Sequence, residues 1–201
     1  NLVNQIRGQS AGTFFRPIVA RLGNFVKILL RVIPCDIAIR KQIGGAGSFR
    51  FHSDFIFSDF RDWSSAHNCG FASLVEDCKG RRCVFDIGAH IGITALPMAT
   101  MLSAGGIVHA FEASPTNVDM LDYHIRSNKP CNIRVIRKIV GDQTKMGVGF
   151  FQSSNVSGMN SLANRVDGQK WEKIRVDMVS LDDYCSDENC VPEVIKIDVE
   201  G

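Results

Sequence analysis

The sequence predicts an α/β fold built on a doubly wound, mostly parallel sheet. Three observations predict it: a buried strand followed by a glycine turn at 84–92, a helix and a second buried strand at 91–111, and a further helix and short strand that end at Ile136. Strand, helix, strand, helix, strand within about fifty residues is typical of a parallel sheet with right-handed crossovers.

The turn after the first strand is the most informative stretch of the chain. Asp86 lies near the end of that strand, and Gly88 and Gly92 follow with G-x-x-x-G spacing. Glycines at such positions permit left-handed turns and let the backbone approach a ligand, and the next helix directs free N–H groups into the same space. The turn predicts a site for a charged, nucleotide-like molecule, although pyrophosphate-binding folds use G-x-G-x-x-G.

The next helix and strand carry a second acidic residue to the same place. Residues 91–103 are largely apolar and helix-forming, with Pro97 as an interior flaw. Glycines at 105–106 end the helix, and residues 107–111 form the second buried strand. Glu112 follows it, 24 positions after Gly88. A carboxylate about 20 residues beyond a glycine turn is placed to bind a ribose diol.

The last predicted elements complete the parallel sheet. Ser114 is expected to cap a helix that begins at Pro115 and ends at Asn128, and a short strand occupies 132–136. Residues 194–198 form a later strand beside the first, with Asp198 at its carboxyl end. Ligands bind at that edge of open α/β sheets.

Four segments carry a family resemblance: 85–92, 110–115, 179–184 and 195–201. They resemble the class I S-adenosylmethionine-dependent methyltransferases, which have a Rossmann-like fold, and among them the FkbM-type family. The resemblance covers residues 65–201. It departs from the family at His90, where asparagine is usual, and at 112–113, where Glu-Pro is usual.

The resemblance implies roles for the residues of the cofactor site. It implies that Gly88 and Gly92 line the methionine end of S-adenosylmethionine and that Glu112 binds the ribose hydroxyls. Asp86 would orient the loop or the cofactor's amino group. Asp142 stands where related enzymes hold the adenine amine, and an ordinary Gly-Asp turn explains it equally well. His90 either relays a proton from the acceptor or, as we favour, hydrogen-bonds the loop.

Two carboxylates are the candidates for catalysis. Methyl transfer to a hydroxyl requires alignment and a general base. Asp198 and Glu200 would share one face of an extended chain, so each would raise the pKa of the other and favour a base near neutral pH. Binding of a divalent cation by the pair is the alternative. Lys196 would neutralise the pair or reach solvent.

The first part of the chain is predicted to form an extension, residues 1–64, ahead of a methyltransferase domain at 65–201. Residues 1–50 carry eight Lys/Arg against one acid. Residues 17–33 have the period of a basic amphipathic helix, which lies either on an anionic membrane or, as we favour, on the catalytic domain. The three cations of this segment argue against a transmembrane span. The alternating phenylalanines of 50–60 indicate a strand or hairpin.

Composition limits the remaining possibilities. The net charge is +2, so no nucleic-acid partner is expected. Seven cysteines without a C-x-x-C pair or histidines at zinc spacing are interpreted as reduced thiols in a cytoplasmic protein, and no metal site is predicted. The chain stops directly after the fourth core strand, so we expect a fragment with an exposed apolar edge and an incomplete acceptor pocket, possessing little or no activity.

The sequence therefore predicts an S-adenosylmethionine-dependent O-methyltransferase. The resemblance implies a hydroxyl on a sugar, glycolipid or secondary metabolite as the acceptor. The alternatives are an NAD-dependent oxidoreductase and a membrane-associated binding module with a vestigial cofactor site. The G-x-x-x-G spacing and the carboxylates at 198 and 200 disfavour the oxidoreductase.

Overall fold

The computed structural model of the protein describes residues 37–63, 68–129, 132–153 and 171–199. They belong to two units. The first contains 37–39 and 52–58, and the second contains the others. In the first unit, a 3₁₀ helix spans Ser53–Phe55, and the His52 imidazole accepts a hydrogen bond from the Asp54 amide at 3.2 Å. Strands β1 (Ala38–Gln42) and β2 (Ser48–His52) form a two-stranded sheet.

The other helices and strands lie entirely in the second unit. In chain order they are α1 (Phe71–Asp77), β3 (Cys83–Ile87), α2 (Ala95–Met101), β4 (Ile107–Phe111), α3 (Pro115–Asn128), β5 (Ile133–Ile136), β6 (Lys138–Gly141), β7 (Lys145–Ser153), β8 (Trp171–Ser180), α4 (Leu181–Glu188) and β9 (Val194–Ile197).

The central sheet has four parallel strands in the order β5-β4-β3-β9. Ile87 of β3 pairs with Phe111 of β4 and with Ile197 of β9, so these three strands end at one edge of the sheet. The predicted α/β fold with a parallel sheet and Rossmann-like crossovers is confirmed. This arrangement places the residues that follow β3, β4 and β9 next to one another.

The alternation of side chains gives the central sheet two different faces. On one face, Phe85, Ile87 and Phe111 pack with Tyr184 of α4. Beneath the other face, α2 packs on β4 and β5, and α3 packs on β5. Strands β3 and β4 are almost fully buried on both faces, and strands of this kind are apolar at nearly every position. In these two strands the exceptions are Asp86 and His109.

A second sheet has the order β6-β8-β7, with β6 parallel and β7 antiparallel to β8. No strand is predicted from the sequence at 138–153 or 171–180. Two glycines, Gly147 and Gly149, interrupt the apolar alternation of β7 and weaken its strand signal.

The helix predicted at 91–103 is shorter in the structure. It spans Ala95–Met101, so Pro97 is the third residue rather than an interior one. In the first turn of a helix the amide groups lack an intrahelical acceptor, and proline is tolerated there. By contrast, α3 begins as expected, because the Ser114 hydroxyl accepts a hydrogen bond from the Asn117 amide.

Strand β9 lies at the edge of the central sheet and exposes apolar side chains, as predicted for this strand. Ile195, Ile197 and Val199 are all solvent-exposed. The strand ends at Ile197, one residue before the predicted end. None of the helices in the described part of the chain is both long and apolar enough to cross a bilayer. The helix predicted at 17–33 lies outside the described residues.

Candidate cofactor-binding site

The turn after β3 is attached to the ends of both neighbouring strands. The amides of Gly88 and Ala89 donate hydrogen bonds to the Phe111 carbonyl at 3.0 and 2.9 Å. On the other side, the Asp198 amide donates to the Ile87 carbonyl at 3.0 Å. Gly88 has a φ of +76°, and a Cβ added there would lie 2.1 Å from the Asp198 carbonyl oxygen. The turn therefore requires glycine both for its backbone conformation and for this close approach.

Asp86 is completely buried beside the turn and is paired with a cation. Its Oδ2 accepts a hydrogen bond from the Thr94 hydroxyl at 2.6 Å, and the Lys196 Nζ lies 2.9 Å from Oδ1. The same ammonium group donates a hydrogen bond to the Gly88 carbonyl at 2.8 Å. Lys196 therefore neutralises a buried carboxylate and holds the turn at the same time.

Sequence reasoning assigned no such role to Lys196. The signal was present, because β3 and β9 pair in parallel with Asp86 opposite Lys196. Residues opposite one another in a parallel pair project from the same face of the sheet. A buried acid opposite a lysine in neighbouring strands indicates an ion pair.

Glu112 joins the end of β4 to the turn. Its Oε2 accepts a hydrogen bond from the His90 amide at 2.8 Å. Its Oε1 accepts from the Ser114 amide at 2.9 Å and from the Asn117 side-chain amide at 3.3 Å. Burial raises the pKa of the Glu112 carboxyl, and these donors act in the opposite direction by favouring the charged form. A carboxylate has about four acceptor sites, so these three donors leave capacity for a ligand.

His90 lies in the turn with a left-handed backbone, at a φ of +52°. Asparagine and histidine are both enriched among non-glycine residues with this conformation, which explains the departure from the usual asparagine. The loop hydrogen bond comes from its amide, whereas the buried imidazole Nε2 has no hydrogen-bond partner within the described residues. Burial, followed by the charge of Lys196, lowers the pKa of His90 to about 4. The imidazole is therefore neutral near pH 7.

A residue of α3 occupies the space beside Gly92 into which a side chain would project. Its φ is +91°, and a Cβ added there would lie 2.7 Å from Cδ1 of Leu121 in α3. Close packing of the turn on α3 therefore explains why residue 92 is glycine. The sequence analysis had attributed it to close approach of a ligand.

The remaining predicted residues are distributed unevenly. Asp198 follows β9 with 79% of its side chain exposed, and its Oδ2 lies 3.9 Å from the Lys196 Nζ. Asp142 is exposed directly after β6. Glu200 lies outside the described residues. The hydrogen bonds of the turn therefore bring together residues 86–92, Glu112 and Asp198.

Comparison with protein families decides the family of the chain. Residues 86–201, more than half of the chain, match the model of the methyltransferase FkbM domain. The chain belongs to the FkbM methyltransferase family. The match begins at Asp86 and contains the turn, Glu112 and Asp198. This family is one of the class I S-adenosylmethionine-dependent methyltransferases.

Several solved structures are partly similar to this FkbM domain. TYW2 of M. jannaschii, solved in complex with AdoMet, is 22% identical with a TM-score of 0.37, and the alignment covers 51% of this chain and 43% of that one. An O-methyltransferase from Bacillus cereus in complex with SAH is 26% identical with a TM-score of 0.29. The alignment covers 36% of this chain and 35% of that one.

The YcgJ protein from Bacillus subtilis is 20% identical with a TM-score of 0.32, and 36% of this chain and 31% of that one are covered. The FkbM chain therefore spans less than half the length of each of these three structures. No curated protein gives a significant match.

The donor and acceptor groups of the site fit S-adenosylmethionine. The cofactor has ribose hydroxyls and an ammonium group that donate hydrogen bonds, and a positively charged sulfonium. Glu112 has acceptor capacity at the end of the parallel strands, where nucleotides bind in such sheets, and the Nε2 of His90 there has no hydrogen-bond partner among the described residues. The carboxylates of Asp86 and Asp198 give this edge negative charge, which Lys196 offsets in part.

Proposed function

We propose that this FkbM domain binds S-adenosylmethionine against the turn at 86–92 and methylates a hydroxyl group of a small-molecule acceptor. One observation supports it most directly. The buried Glu112 carboxylate accepts a hydrogen bond from the His90 amide, so the ends of β3 and β4 meet at one acidic edge of the sheet. When bound, the cofactor supplies an electrophilic methyl group on sulfur.

In this proposal, different residues of the site bind different parts of the cofactor. Glu112 accepts hydrogen bonds from the ribose hydroxyls, and the turn at Gly88 and Gly92 lines the methionine end. The Nε2 of His90 accepts a hydrogen bond from the ligand or the acceptor, in line with its lack of a partner within the described residues. Asp86 orients the turn through Lys196, because that ammonium group contacts both its carboxylate and the Gly88 carbonyl. Asp142 binds the adenine amine.

Asp198 accepts the proton of the acceptor hydroxyl in this proposal. Its side chain is exposed at the carboxyl end of β9, where an acceptor has access from solvent. Glu200 is the second carboxylate proposed for this role. Lys196 lies close to Asp198 and already supplies positive charge there, which disfavours a divalent cation between the carboxylates. A sugar, a glycolipid or a secondary metabolite is the proposed acceptor class, from the family resemblance.

The two other functions have less support. An NAD-dependent oxidoreductase is disfavoured because more than half of the chain matches the FkbM methyltransferase domain. The membrane-binding module and the cytoplasmic location concern residues 17–33 and the whole protein, and they stay predictions. Liposome sedimentation with Arg21, Lys27 and Arg31 changed to glutamate tests the membrane contact, and unchanged sedimentation would exclude it.

Calorimetric titration with S-adenosylmethionine and with NAD tests the proposal. We expect S-adenosylmethionine to bind and NAD not to bind. Glu112→Gln keeps the shape and removes the charge, so the affinity should fall roughly 10- to 100-fold, the value of a charged hydrogen bond. Glu76→Gln is the matched control, since Glu76 is an exposed carboxylate paired with Lys79 on the surface. Preference for NAD, or equal affinity of wild type and Glu112→Gln, would contradict the proposal.

A further inference from the structure

A cluster of thiols and one imidazole lies on the face of the central sheet opposite Asp86. One ligand atom from each of Cys83, His109 and Cys190 lies within 4.8 Å of the other two. The Cys190 thiol is also within hydrogen-bonding range of the thiols of Cys83 and Cys185. The five cysteines that the structure describes are free thiols, and three of them meet here.

The backbone around the cluster is firmly positioned. Cys83 is the first residue of β3, and its carbonyl accepts a hydrogen bond from the Glu193 amide at 2.8 Å. The Cys190 amide donates to the Cys185 carbonyl at 3.0 Å, just after α4 ends in the left-handed residue Asn189. These bonds hold the two cysteines that flank the end of α4 over the start of β3.

The imidazole of His109 is oriented by a second group. His109 is a buried residue of β4, and its Nδ1 lies 2.7 Å from the Tyr184 hydroxyl. Histidines that bind metals are usually held in this way, with one ring nitrogen hydrogen-bonded and the other on the metal. With Nδ1 engaged by Tyr184, Nε2 is the nitrogen left for a ligand.

We propose that Cys83, His109 and Cys190, with Cys185 as the fourth ligand, form a structural zinc site. Three thiolates and one imidazole are a set that zinc binds tetrahedrally in closed, structural sites. With Zn–S bonds of about 2.3 Å, tetrahedral ligands lie about 3.8 Å apart, so the spread of up to 4.8 Å among the ligand atoms of Cys83, His109 and Cys190 requires side-chain shifts of about 1 Å. Binding forms three Zn–S bonds and one Zn–N bond and releases the thiol protons to solvent.

The site is separate from the proposed cofactor site and does not depend on methyl transfer. Gly88 lies five positions after Cys83, which corresponds to roughly 16 Å along a strand. The ligands come from β3, β4, α4 and the segment after α4. Because most of them are far apart in the sequence, they form no short sequence motif. Zinc here would connect α4 to the two central strands of the sheet.

The competing explanation is that the thiols simply fill space beside the aromatic core. Cys83, Cys185 and Cys190 all pack against the cluster that contains Phe85, Phe111 and Tyr184. Free cysteine often behaves as a small apolar residue. The two explanations differ in what they predict for added metal, because apolar packing provides no reason for tight, stoichiometric binding.

Titration of the reduced, metal-free protein with Co²⁺ alone tests the site. We expect one equivalent to produce thiolate-to-cobalt charge-transfer absorption and the intense visible bands of tetrahedral cobalt, and one equivalent of Zn²⁺ to abolish both. In the same wild-type protein, Zn²⁺ should protect Cys83, Cys185 and Cys190 from alkylation while the exposed Cys69 reacts, as read by mass spectrometry. Absence of the absorption, or alkylation of all four cysteines at equal rates, would overturn the proposal.

Substitutions then assign the ligands. Cys190→Ser should abolish the tetrahedral cobalt spectrum, whereas Cys69→Ser, the matched control, should retain it. Tyr184→Phe should retain the spectrum but weaken zinc affinity about 10- to 100-fold, since it loses only the group that orients His109. Circular dichroism of each variant checks that it is folded. An unchanged spectrum in folded Cys190→Ser would contradict the assignment.

Discussion

Asp86 and Glu112 are both buried carboxylates, and the structure compensates their charges in different ways. Asp86 has an ammonium group at 2.9 Å, whereas Glu112 has two backbone amides and one side-chain amide as donors. An ion pair fixes one partner opposite the other, but backbone donors leave the remaining acceptor sites of the carboxylate free. This difference suits Asp86 to holding the turn and Glu112 to binding a ligand.

Lys196→Met should destabilise the protein strongly. It leaves the Asp86 carboxylate buried without its cation, a change that typically costs about 3–5 kcal/mol. Lys79→Met is the matched control, because Lys79 pairs with Glu76 at 3.1 Å but both side chains are exposed, so its cost should be at most about 1 kcal/mol. Urea unfolding measures both. Equal free energies of unfolding for the two variants would show that the buried pair is not required.

His90→Asn should remove part of the pH dependence of stability. Burial lowers the pKa of His90 from 6.5 to about 4, so the unfolded state binds the proton more readily than the folded state between these values. The resulting stabilisation is complete above pH 6.5 and is lost as the pH falls towards 4, by roughly 3 kcal/mol. Asparagine also tolerates the left-handed backbone.

Urea unfolding at several pH values between 4 and 7 measures this effect. The free energy of unfolding of the wild type should fall more steeply with decreasing pH than that of His90→Asn. Other titrating groups are common to both proteins and cancel in the difference. Parallel curves would mean that His90 titrates as it does in the unfolded chain.

At the scale of elements, the site depends on how closely the turn after β3 approaches the end of β9. Strand β9 is an edge strand of the central sheet, and it pairs with β3. The Gly88 contact and the amide of Asp198 together hold the last residues of β9 beside the turn. Movement of this turn would therefore displace Asp198.

Gly88→Ala should lower the free energy of unfolding by more than the left-handed backbone at Gly88 accounts for. Gly105 has a φ of +78°, close to that of Gly88, but a Cβ there meets nothing within 4 Å. Gly105→Ala therefore measures the left-handed penalty alone, about 1–2 kcal/mol. Gly88→Ala adds a clash with the Asp198 backbone, which should cost about 1–3 kcal/mol more.

Thermal or urea unfolding of the two alanine variants compares these costs directly. Since the clash displaces backbone at Asp198, Gly88→Ala should also weaken S-adenosylmethionine binding, whereas Gly105→Ala should not. Equal unfolding free energies of the two variants would show that the turn and the end of β9 are not in close contact.

At the scale of the whole molecule, the sequence predicted the central sheet better than the contacts around it. The strands at 107–111 and 133–136 are mostly apolar, each with one polar or charged residue, and have clear glycine, serine or proline boundaries, and such signals are local. Lys196 and Asp86 come together through strand pairing, and His109 meets the cysteines through tertiary packing of strands, α4 and the segment after it. Because these residues are far apart in the sequence, local sequence patterns do not predict their contacts.

The surroundings of Asp142 and Gly92 also depend on tertiary packing. Asp142 follows β6, a strand of the second sheet, and its side chain is exposed, so its contact with the adenine amine stays a prediction. A Cβ at Gly92 would lie 2.7 Å from Cδ1 of Leu121 in α3. Both observations required knowledge of which elements pack together.

Hydrogen exchange with and without S-adenosylmethionine, followed by mass spectrometry, tests the central claim most directly. We predict slower exchange of the amides at 86–92 and 112–117, because the cofactor would cover the turn and Glu112. The hairpin of β7 and β8 should be unchanged, and NAD should have no effect. Protection confined to other segments, or equal protection by NAD, would contradict the assignment of this turn as the cofactor site.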